Sequence, residues 1–512
     1  MHLLSAREAP SGSSDEAVDL EQSPAELIVL SAAESELACL AAAHGRMPAP
    51  KPALRLANLL KLQHPLSVDL YVEKTLAKAR LVVVRLLGGR GYWPYGIEQL
   101  ALAARTNGTA LALLPGDDRP DPELARLSTL PPDTLDLLHR YLLHGGIDNA
   151  AAALALMGDL IGHSASPPPP RPLPKAAIHR APKADGRPVA ALVFYRALVQ
   201  SGDLALVEAI IEALDAAGLD ALAVHVAGLK DLEAGRVVEA AIAAHDAAIV
   251  LNLTGFAVST PGAASSRTPF SACGRPVLQL VASSGSKDAW AEGMNGLGPR
   301  DLAMSVALPE IDGRILSRAV SFKGDPVTDD ATEITLTRYA PVPDRIAWVA
   351  RLARAWVEVA RTPPERRHVA LVMANYPNRD GRLANGVGLD TPASTIVLLE
   401  ALKNAGYHVA DEPENAADLM ALLQAGPTNA LAGRNARVST ASLPLDVYER
   451  AMAAWPRAAR NALHERWGEP SSDPHVHNGA FRLAIHRFGN IVLGIQPARG
   501  YHIDPTETYH SP

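Results

Sequence analysis

The sequence has 512 residues, of which 48% are hydrophobic and 20% charged, and a chain of this length holds about two to four domains with substantial cores. The formal net charge of −7 argues against a nucleic-acid partner, because proteins of that class carry an excess of basic residues that contact phosphates. An aromatic content of 4% also argues against the base-stacking surfaces that bind single-stranded nucleic acid.

Targeting and redox features indicate a cytoplasmic protein with no membrane association. Residues 1–19 contain Ser, Glu and Asp where a signal peptide has its apolar segment. The apolar run Ala150–Ile161 carries Asp159 and is shorter than the ~18–20 residues of a membrane span. The two cysteines, Cys39 and Cys273, are too few for a disulfide framework or a Cys-based zinc site, and are typical of buried thiols in a reducing compartment.

Residues 1–163 are predicted to form an N-terminal α/β domain. Short apolar runs alternate with candidate helices, a pattern typical of βαβ units with right-handed crossovers. The predicted strands are Glu26–Leu30, Ala79–Leu87 and Gly108–Pro115, and the predicted helices are Glu34–His44, Ile97–Arg105 and Thr134–Leu143.

An aromatic loop follows the second of these strands. The segment Gly88–Gly96 holds Tyr92, Trp93 and Tyr95 in a chain that is otherwise poor in aromatic residues. Two interpretations stay open: the rings form a surface for a large planar ligand, or they pack under a neighbouring domain, as interface aromatics often do.

Residues 164–187 are predicted to be a Pro-rich linker, or a strap laid over the surface. The run Pro167–Pro170 cannot enter a helix or sheet interior and favours the extended polyproline conformation. A ligand for an SH3-type domain is the functional alternative, which composition alone supports.

Residues 188–365 are predicted to form a second α/β domain by the same alternation of strands and helices. The predicted strands are Val189–Tyr195, Ala221–His225, Ala247–Leu253 and Pro276–Val281, and the predicted helices are Leu204–Ala217, Asp231–His245 and Pro343–Arg361.

Candidate substrate-binding residues stand at the carboxyl ends of two predicted strands in this domain. Tyr195 and Arg196 stand at the carboxyl end of the first strand, the edge at which open α/β sheets bind ligands; the alternative is that Arg196 pairs with a surface carboxylate. Ser284 and Ser286 follow the fourth strand and can offer hydroxyls and backbone N–H groups to an anion. Ordinary turn chemistry explains these serines almost as well.

Residues 366–512 are predicted to be the start of a third α/β region. Its first strand, His368–Ala374, leads through a polar loop into a helix that begins at Thr391 and Pro392. Further predicted elements are helices near Ala416–Gln424 and Leu445–Arg466 and an extended segment, Phe481–Gln496. The predicted fold class is therefore α/β, with successive flavodoxin-like parallel-sheet domains and helices on both faces.

The polar loop of the third region is predicted to bind an anion. It leaves the carboxyl end of a strand and enters a helix N-terminus, where unpaired N–H groups favour negative charge. Arg379 and Arg382 add two guanidinium forks suited to carboxylates, although they can also clamp an aspartate within the loop. The candidate substrate-binding residues of this loop are Asn375, Asn378, Arg379, Arg382, Asn385 and Asp390.

Further motifs, present or absent, concern metal binding, nucleotide binding and hydrolysis. His475 and His477 have a spacing that metals accept, but their Gly-, Pro- and Asn-containing surroundings indicate a surface loop, and we predict no metal site. The sequence lacks the phosphate loop of P-loop ATPases, the glycine fingerprint of dinucleotide-binding domains and the nucleophile elbow of α/β-hydrolases. A reaction that consumes ATP would therefore require a separate ATP-hydrolysing partner.

The polar loop and the ending Gly494–Pro512 resemble the large subunit of aerobic cobaltochelatase of the CobN type, a family related to the porphyrin-binding H subunit of magnesium chelatase. The resemblance covers nearly the whole chain and implies that this sequence is about the first two-fifths of such a subunit, with the family's sequence continuing beyond Pro512. Arg499 and Tyr501 lie in the segment that matches the family closely and are further candidate substrate-binding residues.

The resemblance implies a metal–nitrogen ligase subunit of vitamin B12 (cobalamin) biosynthesis that binds hydrogenobyrinic acid a,c-diamide. Co²⁺ would be a substrate, ATP would be hydrolysed by an AAA+ subunit working with a second small subunit, and no cofactor would be bound directly. Catalytic residues are expected in a His-Gly-Thr-Leu-Glu-Trp type segment beyond Pro512, so this stretch is expected to be inactive alone.

Alternative functions stay open. The chain can be a non-catalytic tetrapyrrole-binding or scaffold piece, or a subunit like the H subunit of magnesium chelatase. A sensor domain similar to periplasmic binding proteins is a third possibility, which the absence of a signal-peptide pattern disfavours.

Overall fold

The structure, a computed structural model, describes residues 16–260, 267–294, 296–375, 383–384, 386, 388–431 and 433–497. The chain divides into two compact units, Met1–Val357 and Glu358–Pro512. Each unit contains parallel strands with packed helices, so the predicted α/β multi-domain class is confirmed. Within the described residues, no helix is long and apolar enough to cross a membrane.

The first unit begins with a four-stranded parallel sheet in the order β2-β1-β3-β4. Separate hydrophobic clusters pack against its two faces, as a parallel sheet requires. Its strands are β1 (Leu27–Ser31), β2 (Leu54–Asn58), β3 (Leu81–Leu86) and β4 (Ala110–Pro115), and its helices are α1 (Glu34–Arg46), α2 (Pro65–Lys74), α3 (Pro94–Asn107), α4 (Pro122–Leu127), α5 (Pro132–His144) and α6 (Ile147–Leu160).

A seven-stranded sheet follows in the same unit. Its strands, together with a separate hairpin, are β5 (Ala176–Arg180), β6 (Val189–Tyr195), β7 (Asp220–Val226), β8 (Ile249–Asn252), β9 (Val277–Ser286), β10 (Ile315–Lys323), the hairpin β11 (Val327–Asp329) and β12 (Ile334–Leu336), and β13 (Tyr339–Pro341). The sheet order is β13-β10-β9-β8-β6-β7-β5. Its five central strands are parallel and run β7-β6-β8-β9-β10, the flavodoxin-like arrangement 2-1-3-4-5.

Helices cover both faces of this second sheet. Four predicted strands and three predicted helices are present, whereas β10 and the short strands after it were not predicted. The helices are α7 (Arg196–Ser201), α8 (Ala205–Ala216), α9 (Leu232–Ala244), α10 (Lys287–Glu292), α11 (Pro299–Leu302), α12 (Leu308–Ile311) and α13 (Pro343–Arg361).

The hairpin β11–β12 packs against the first sheet, far from its place in the sequence. Leu56 of β2 donates its backbone N–H to the Thr332 carbonyl at 3.3 Å, and Arg55 pairs with Glu333 at 2.7 Å. Ile334 and Leu336 lie in the hydrophobic cluster of the first sheet. A segment of the predicted second domain therefore completes the core of the first, while the predicted domain boundaries themselves stay predictions.

The Pro-rich segment lies along α5 and α6. The Tyr141 hydroxyl donates to the Pro168 carbonyl, and Asn149 and Arg171 exchange two hydrogen bonds of 2.8 and 2.9 Å. Within the predicted linker, the proline-free stretch β5 joins the second sheet antiparallel to β7, so this segment is more ordered than a simple linker.

The second unit has a three-stranded sheet in the order β14-β19-β18, with β14 and β19 parallel, and a small antiparallel sheet in the order β15-β17-β16. The elements are β14 (Val369–Met373), α14 (Thr391–Asn404), α15 (Ala416–Ala425), β15 (Ser442–Pro444), α16 (Leu445–Ala453), α17 (Arg457–Trp467), β16 (Val476–His477), β17 (Ala480–Arg482), β18 (Ile485–Phe488) and β19 (Ile491–Ile495).

Two predicted elements of this unit differ from the structure. The single helix predicted over 445–466 is two helices, because Pro456 has no N–H to donate to the preceding turn. The extended segment predicted over 481–496 contains the hairpin β18–β19, which turns at Gly489 with φ +63°. A Cβ at Gly489 would lie 2.6 Å from the His408 carbonyl oxygen, so only glycine fits there.

Candidate functional site

Tyr195 closes the carboxyl end of β6 against the loop that follows β8. Its phenolic oxygen accepts the Gly255 N–H at 3.1 Å, and burial raises the pKa of Tyr195. The residue lies next to the point where the strand order of this sheet reverses, the position at which such sheets bind ligands. The placement suits the predicted ligand role, which stays a prediction.

Arg196, the first residue of α7, donates through Nη1 to the Leu173 carbonyl at 3.1 Å. The accepting carbonyl belongs to the Pro-rich segment and is not the surface carboxylate of the alternative interpretation. Burial lowers the pKa of Arg196. The side chain is thus held by a single described carbonyl contact, and the residue lines a cleft.

That cleft lies between the two sheets of the first unit and has a volume of about 450 Å³, which is within the range of small-molecule sites. Ser31, Leu87 and Gly116 bring to it the carboxyl ends of β1, β3 and β4, and Arg196 and Gln200 bring the end of β6 and helix α7. The carboxyl ends of three strands of the first sheet and the helix that follows β6 therefore line one cavity.

A buried ion pair forms one wall of the cleft. Arg85 contacts Glu36, and Glu36 also accepts the Ser31 hydroxyl at 2.6 Å. Arg85 further donates to the carbonyls of Pro115 and Gly116, each at 3.2 Å. Because every one of these bonds lies within the first sheet and its helix α1, the pair fixes the strand ends, and Arg196 is the cation that the second sheet's side adds to the cleft.

The three aromatic residues of the loop have different surroundings, and neither interpretation made from the sequence describes all of them. Trp93 is buried and donates its indole N–H to the Leu62 carbonyl at 2.7 Å, so it is a core residue. Tyr95 donates its hydroxyl to Asp69 at 2.7 Å at the surface. Tyr92 alone of the three lines the cleft.

Ser284 and Ser286 have structural partners. The Ser284 hydroxyl and N–H both donate to Asp301 at 2.9 Å, and Ser283 donates to the same carboxylate at 2.7 Å. Ser286 caps α10 by accepting the Ala289 N–H at 3.2 Å. These bonds match the turn-chemistry alternative, and a substrate role for the two serines stays a prediction.

A buried polar network at the same sheet edge was not predicted. Asn252 donates to Gln279 at 2.8 Å across β8 and β9, and Arg314 reaches Gln279 at 3.3 Å. Arg314 pairs with Asp312 at 2.7 Å, with side chains only 1% and 0% exposed. The sequence signal was present, since Asn252 and Gln279 interrupt apolar strand runs, where polar side chains require partners.

The polar loop of the second unit is described only at its ends. Asn375 is 4% exposed, and its Oδ1 has no partner among the described residues. Asp390 is the N-cap of α14 and accepts the Ala393 N–H at 3.1 Å, a position predicted for Thr391. The remaining candidates lie outside the described residues, and their roles stay predictions: Asn378, Arg379, Arg382, Asn385, Arg499 and Tyr501.

The late histidines adopt a structural arrangement. His475 Nδ1 lies 3.0 Å from Asp473 Oδ1, and His477 is exposed on β16. Across the described ranges, no three His, Cys, Asp or Glu side chains gather closely enough to hold a metal ion.

Comparison with known proteins gives a consistent result. A family model for CobN/magnesium chelatase matches residues 139–512. Over its whole length the chain is 44% identical to the aerobic cobaltochelatase subunit CobN of a Sinorhizobium species and 43% identical to that of Pseudomonas aeruginosa, and it spans 42% of each. The catalytic subunit of cobaltochelatase from Mycobacterium tuberculosis has a similar structure, with a TM-score of 0.77 and 30% identity, over 94% of this chain and 39% of that one.

Proposed function

The chain belongs to the CobN/magnesium chelatase family, and on that premise we propose that it acts as the tetrapyrrole-binding large subunit of an ATP-dependent cobaltochelatase. The proposed reaction is insertion of Co²⁺ into hydrogenobyrinic acid a,c-diamide in aerobic cobalamin biosynthesis, in the cytoplasm. The observation that carries the proposal is that similarity to aerobic cobaltochelatase subunits extends over the entire chain.

The chain spans about two-fifths of the length of these relatives, so activity is proposed for the whole subunit. Metal insertion must remove two pyrrole protons and bring the metal to the ring nitrogens, which requires a general base and metal ligands. We propose that these catalytic groups lie in the part of the relatives' length that this chain does not span. The described residues are proposed to recognise the substrate.

Substrate recognition is proposed to rest on guanidinium groups at strand ends. The macrocycle carries peripheral carboxylates, to which arginine makes paired hydrogen bonds. Arg196 supports this proposal because it stands directly after β6 and lines a cleft with the carboxyl ends of the first sheet. Arg379 and Arg382 are proposed to act in the same way in the second unit.

Energy is proposed to come from partner subunits. The sequence has no phosphate loop, so ATP hydrolysis is assigned to an AAA+ subunit that works with a second small subunit. This chain is proposed to bind neither ATP nor a cofactor directly, and Co²⁺ enters as a substrate.

Titration of the purified chain with hydrogenobyrinic acid a,c-diamide, followed by the absorbance of the macrocycle, tests substrate binding. We expect saturable binding that is tighter than binding of protoporphyrin IX under the same conditions. Tighter binding of protoporphyrin IX would favour the alternative, a subunit like that of magnesium chelatase. No binding of either macrocycle would refute a tetrapyrrole-binding role.

A second assay separates the enzyme subunit from the scaffold alternative. The chain is mixed with Co²⁺, ATP, the macrocycle and the two small subunits, beside a reaction that contains a full-length relative. We expect cobalt insertion only with the full-length protein. If the chain binds the small subunits but does not bind the macrocycle, the scaffold alternative is favoured.

A further inference from the structure

The three-stranded sheet of the second unit has one covered face and one open face. Val369, Leu371 and Met373 of β14 pack in the hydrophobic cluster that covers the first face. Because successive side chains of a strand point to opposite faces, Ala370 and Val372 lie on the other face. Ala370 is exposed there, and Val372 is 66% exposed. The second face is therefore open to solvent at β14, the outer strand in the order β14-β19-β18.

An open face is unusual for strands of this kind. β14 and β19 are parallel, and parallel strands occur almost only in sheets that are buried on both faces. Val492 of β19 is the register partner of Ala370 on the open face, and it is half-buried. The side chains of Ala370 and Val372 thus remain in water on a face that a parallel sheet ordinarily buries.

Helix α14 gives a second, independent observation, because its apolar residues form two stripes. Ile396 and Leu399 pack in the cluster on the covered face of the sheet. Val397, Leu398 and Ala401 form the outer stripe, in which residues three and four apart lie on one side of the helix. Val397 is 65% and Leu398 is 44% exposed, and Ala401 is exposed as well. A helix that is apolar on all sides is typical of one that is buried on all sides.

The lengths of the relatives indicate what covers these surfaces. The chain spans 42% of each aerobic cobaltochelatase subunit that it matches over its whole length, so more than half of each relative has no counterpart in this chain. Parallel strands are joined through crossover segments of the same chain, which ordinarily also cover the faces of the sheet. Further sequence of the same subunit is therefore a better candidate than a second copy of this chain.

We propose that the open face of β14 and the outer stripe of α14 are an interface for the part of the subunit that this chain does not span. That part packs apolar side chains against Ala370 and Val372 on the sheet and against Val397 and Leu398 on the helix. Exposed apolar patches commonly mark such interaction surfaces. The inference goes beyond the proposed function, because it rests on family membership and exposed apolar surface and does not depend on the substrate or the metal.

The reactivity of introduced thiols measures whether the two surfaces are covered. The variants Val372→Cys and Leu398→Cys place one thiol on each surface. The matched control is Val438→Cys, because Val438 is 75% exposed in the segment before β15 of the same unit. Rates of reaction with a maleimide reagent are corrected for the cysteines of the unmodified protein. In this chain we expect the three introduced thiols to react at similar rates.

The same substitutions are then made at the matching positions of a full-length relative, the CobN subunit of Pseudomonas aeruginosa. A thiol reacts only where the reagent reaches it, so the positions that match Val372 and Leu398 should react at least about tenfold more slowly there. The position that matches Val438 should react as it does in this chain. Equal rates in the two proteins at the first two positions would overturn the proposal. An equal fall at all three positions would also overturn it, because the burial would not be specific to these surfaces.

Light scattering of the purified chain separates a second copy from the proposed occupant. We expect a monomer, and we expect the reaction rate of Val372→Cys not to depend on protein concentration. A dimer whose formation slows this reaction would assign the surface to a second copy and would contradict the proposal.

A charged substitution provides a readout that does not depend on thiol chemistry. Val372→Asp should leave the unfolding temperature of this chain almost unchanged, because the side chain is exposed. Aspartate at the matching position of the full-length relative should lower the unfolding temperature, since a carboxylate would be buried without a partner. An unchanged unfolding temperature in both proteins would refute burial of this face in the whole subunit.

Discussion

At the residue scale, Asp312 and Arg314 form a buried ion pair at the edge of the second sheet. Asp312 also accepts the N–H groups of Val258 and Ser259 at 2.8 and 3.0 Å, so one carboxylate fixes the loop after β8. These bonds and Arg314 hold the pKa of Asp312 below its usual value, although burial itself acts to raise it. The pair therefore organises the strand ends near Tyr195.

We predict that Asp312→Asn lowers the free energy of unfolding by about 3–5 kcal/mol, because it leaves the Arg314 charge buried without its partner. Denaturant melts measure this loss. Asp446→Asn, which breaks the exposed pair with Arg450, is the control and should leave the melt almost unchanged. Equal losses of unfolding free energy in the two variants would contradict the conclusion that the buried charge of Arg314 depends on Asp312.

Arg382 lies in the polar loop, outside the described residues, and its predicted role is to bind substrate carboxylate. If that role is correct, Arg382→Ala should weaken macrocycle binding roughly ten- to a hundredfold, because a hydrogen bond to a charged group contributes about 1.5–3 kcal/mol. Arg382→Lys should recover only part of the affinity, since lysine lacks the planar fork.

Absorbance titrations and thermal melts of the same variants separate ligand binding from loop structure. Asp390→Ala is the comparison, because Asp390 caps α14 and its loss should lower stability. A lowered melt with unchanged affinity in Arg382→Ala would show that the arginine clamps the loop and does not bind the substrate.

Buried histidines predict an acid-sensitive fold. Burial lowers the pKa of five histidine rings, those of His44, His139, His144, His225 and His486. The unfolded rings bind protons at about pH 6.5, whereas the folded rings do so only at lower pH. Between those values the unfolded state binds more protons, so the free energy of unfolding should fall as pH decreases below about 6.5 and should not depend on these rings above it.

Removal of one buried ring tests this pH dependence. His225 lies in β7 against the Phe194 ring and is 4% exposed, with His179 and Arg196 as the neighbouring charges that act on it. His225→Gln should make the acid limb of a stability–pH curve shallower, whereas His477→Gln, at an exposed position, should leave the limb unchanged. Identical acid limbs in the stability–pH curves of the parent and of His225→Gln would refute the assignment of this pH dependence to His225.

At the element scale, the hairpin β11–β12 is expected to stabilise a sheet that it does not join. Leu336 is 6% exposed within the cluster of the first sheet, while Val327 on the same hairpin is 68% exposed. Leu336→Ala should lower the free energy of unfolding by about 2–5 kcal/mol through lost contacts and the cavity left behind.

Val327→Ala is the matched control, and we expect a change within about 0.5 kcal/mol, as is usual for exposed positions. Hydrogen exchange of β1 and β2 provides the regional readout: Leu336→Ala should accelerate exchange there if the hairpin completes that core. Faster exchange confined to β11 and β12 would contradict this role.

At the scale of the whole molecule, the chain is predicted not to bind or hydrolyse ATP. The sequence has no phosphate loop with its lysine and hydroxyl residue, which are the groups that hold the nucleotide phosphates in P-loop ATPases. Calorimetry should show no binding at micromolar ATP, and hydrolysis should occur only when an AAA+ partner is present. Micromolar affinity of the isolated chain for ATP would overturn the proposal that ATP is bound and hydrolysed by a partner subunit.

Several strands could be predicted because their own residues determine them. The buried strands β1, β3, β6 and β7 are apolar runs bounded by loops, and helices such as α9 begin at an N-cap aspartate, Asp231. Strand β2 was missed because Arg55 interrupts its apolar pattern, and the carboxylate that allows this charge to be buried, Glu333, is distant in sequence.

The sequence by itself determined the α/β class, the family resemblance and the strand ends at which the candidate substrate-binding residues stand, because each depends on local pattern or motif. Only the tertiary structure decided which of those residues meet. It placed Arg196 at a cleft with the ends of the first sheet and Ser284 against Asp301. Such contacts depend on crossovers and on pairing between distant segments, which local pattern does not encode.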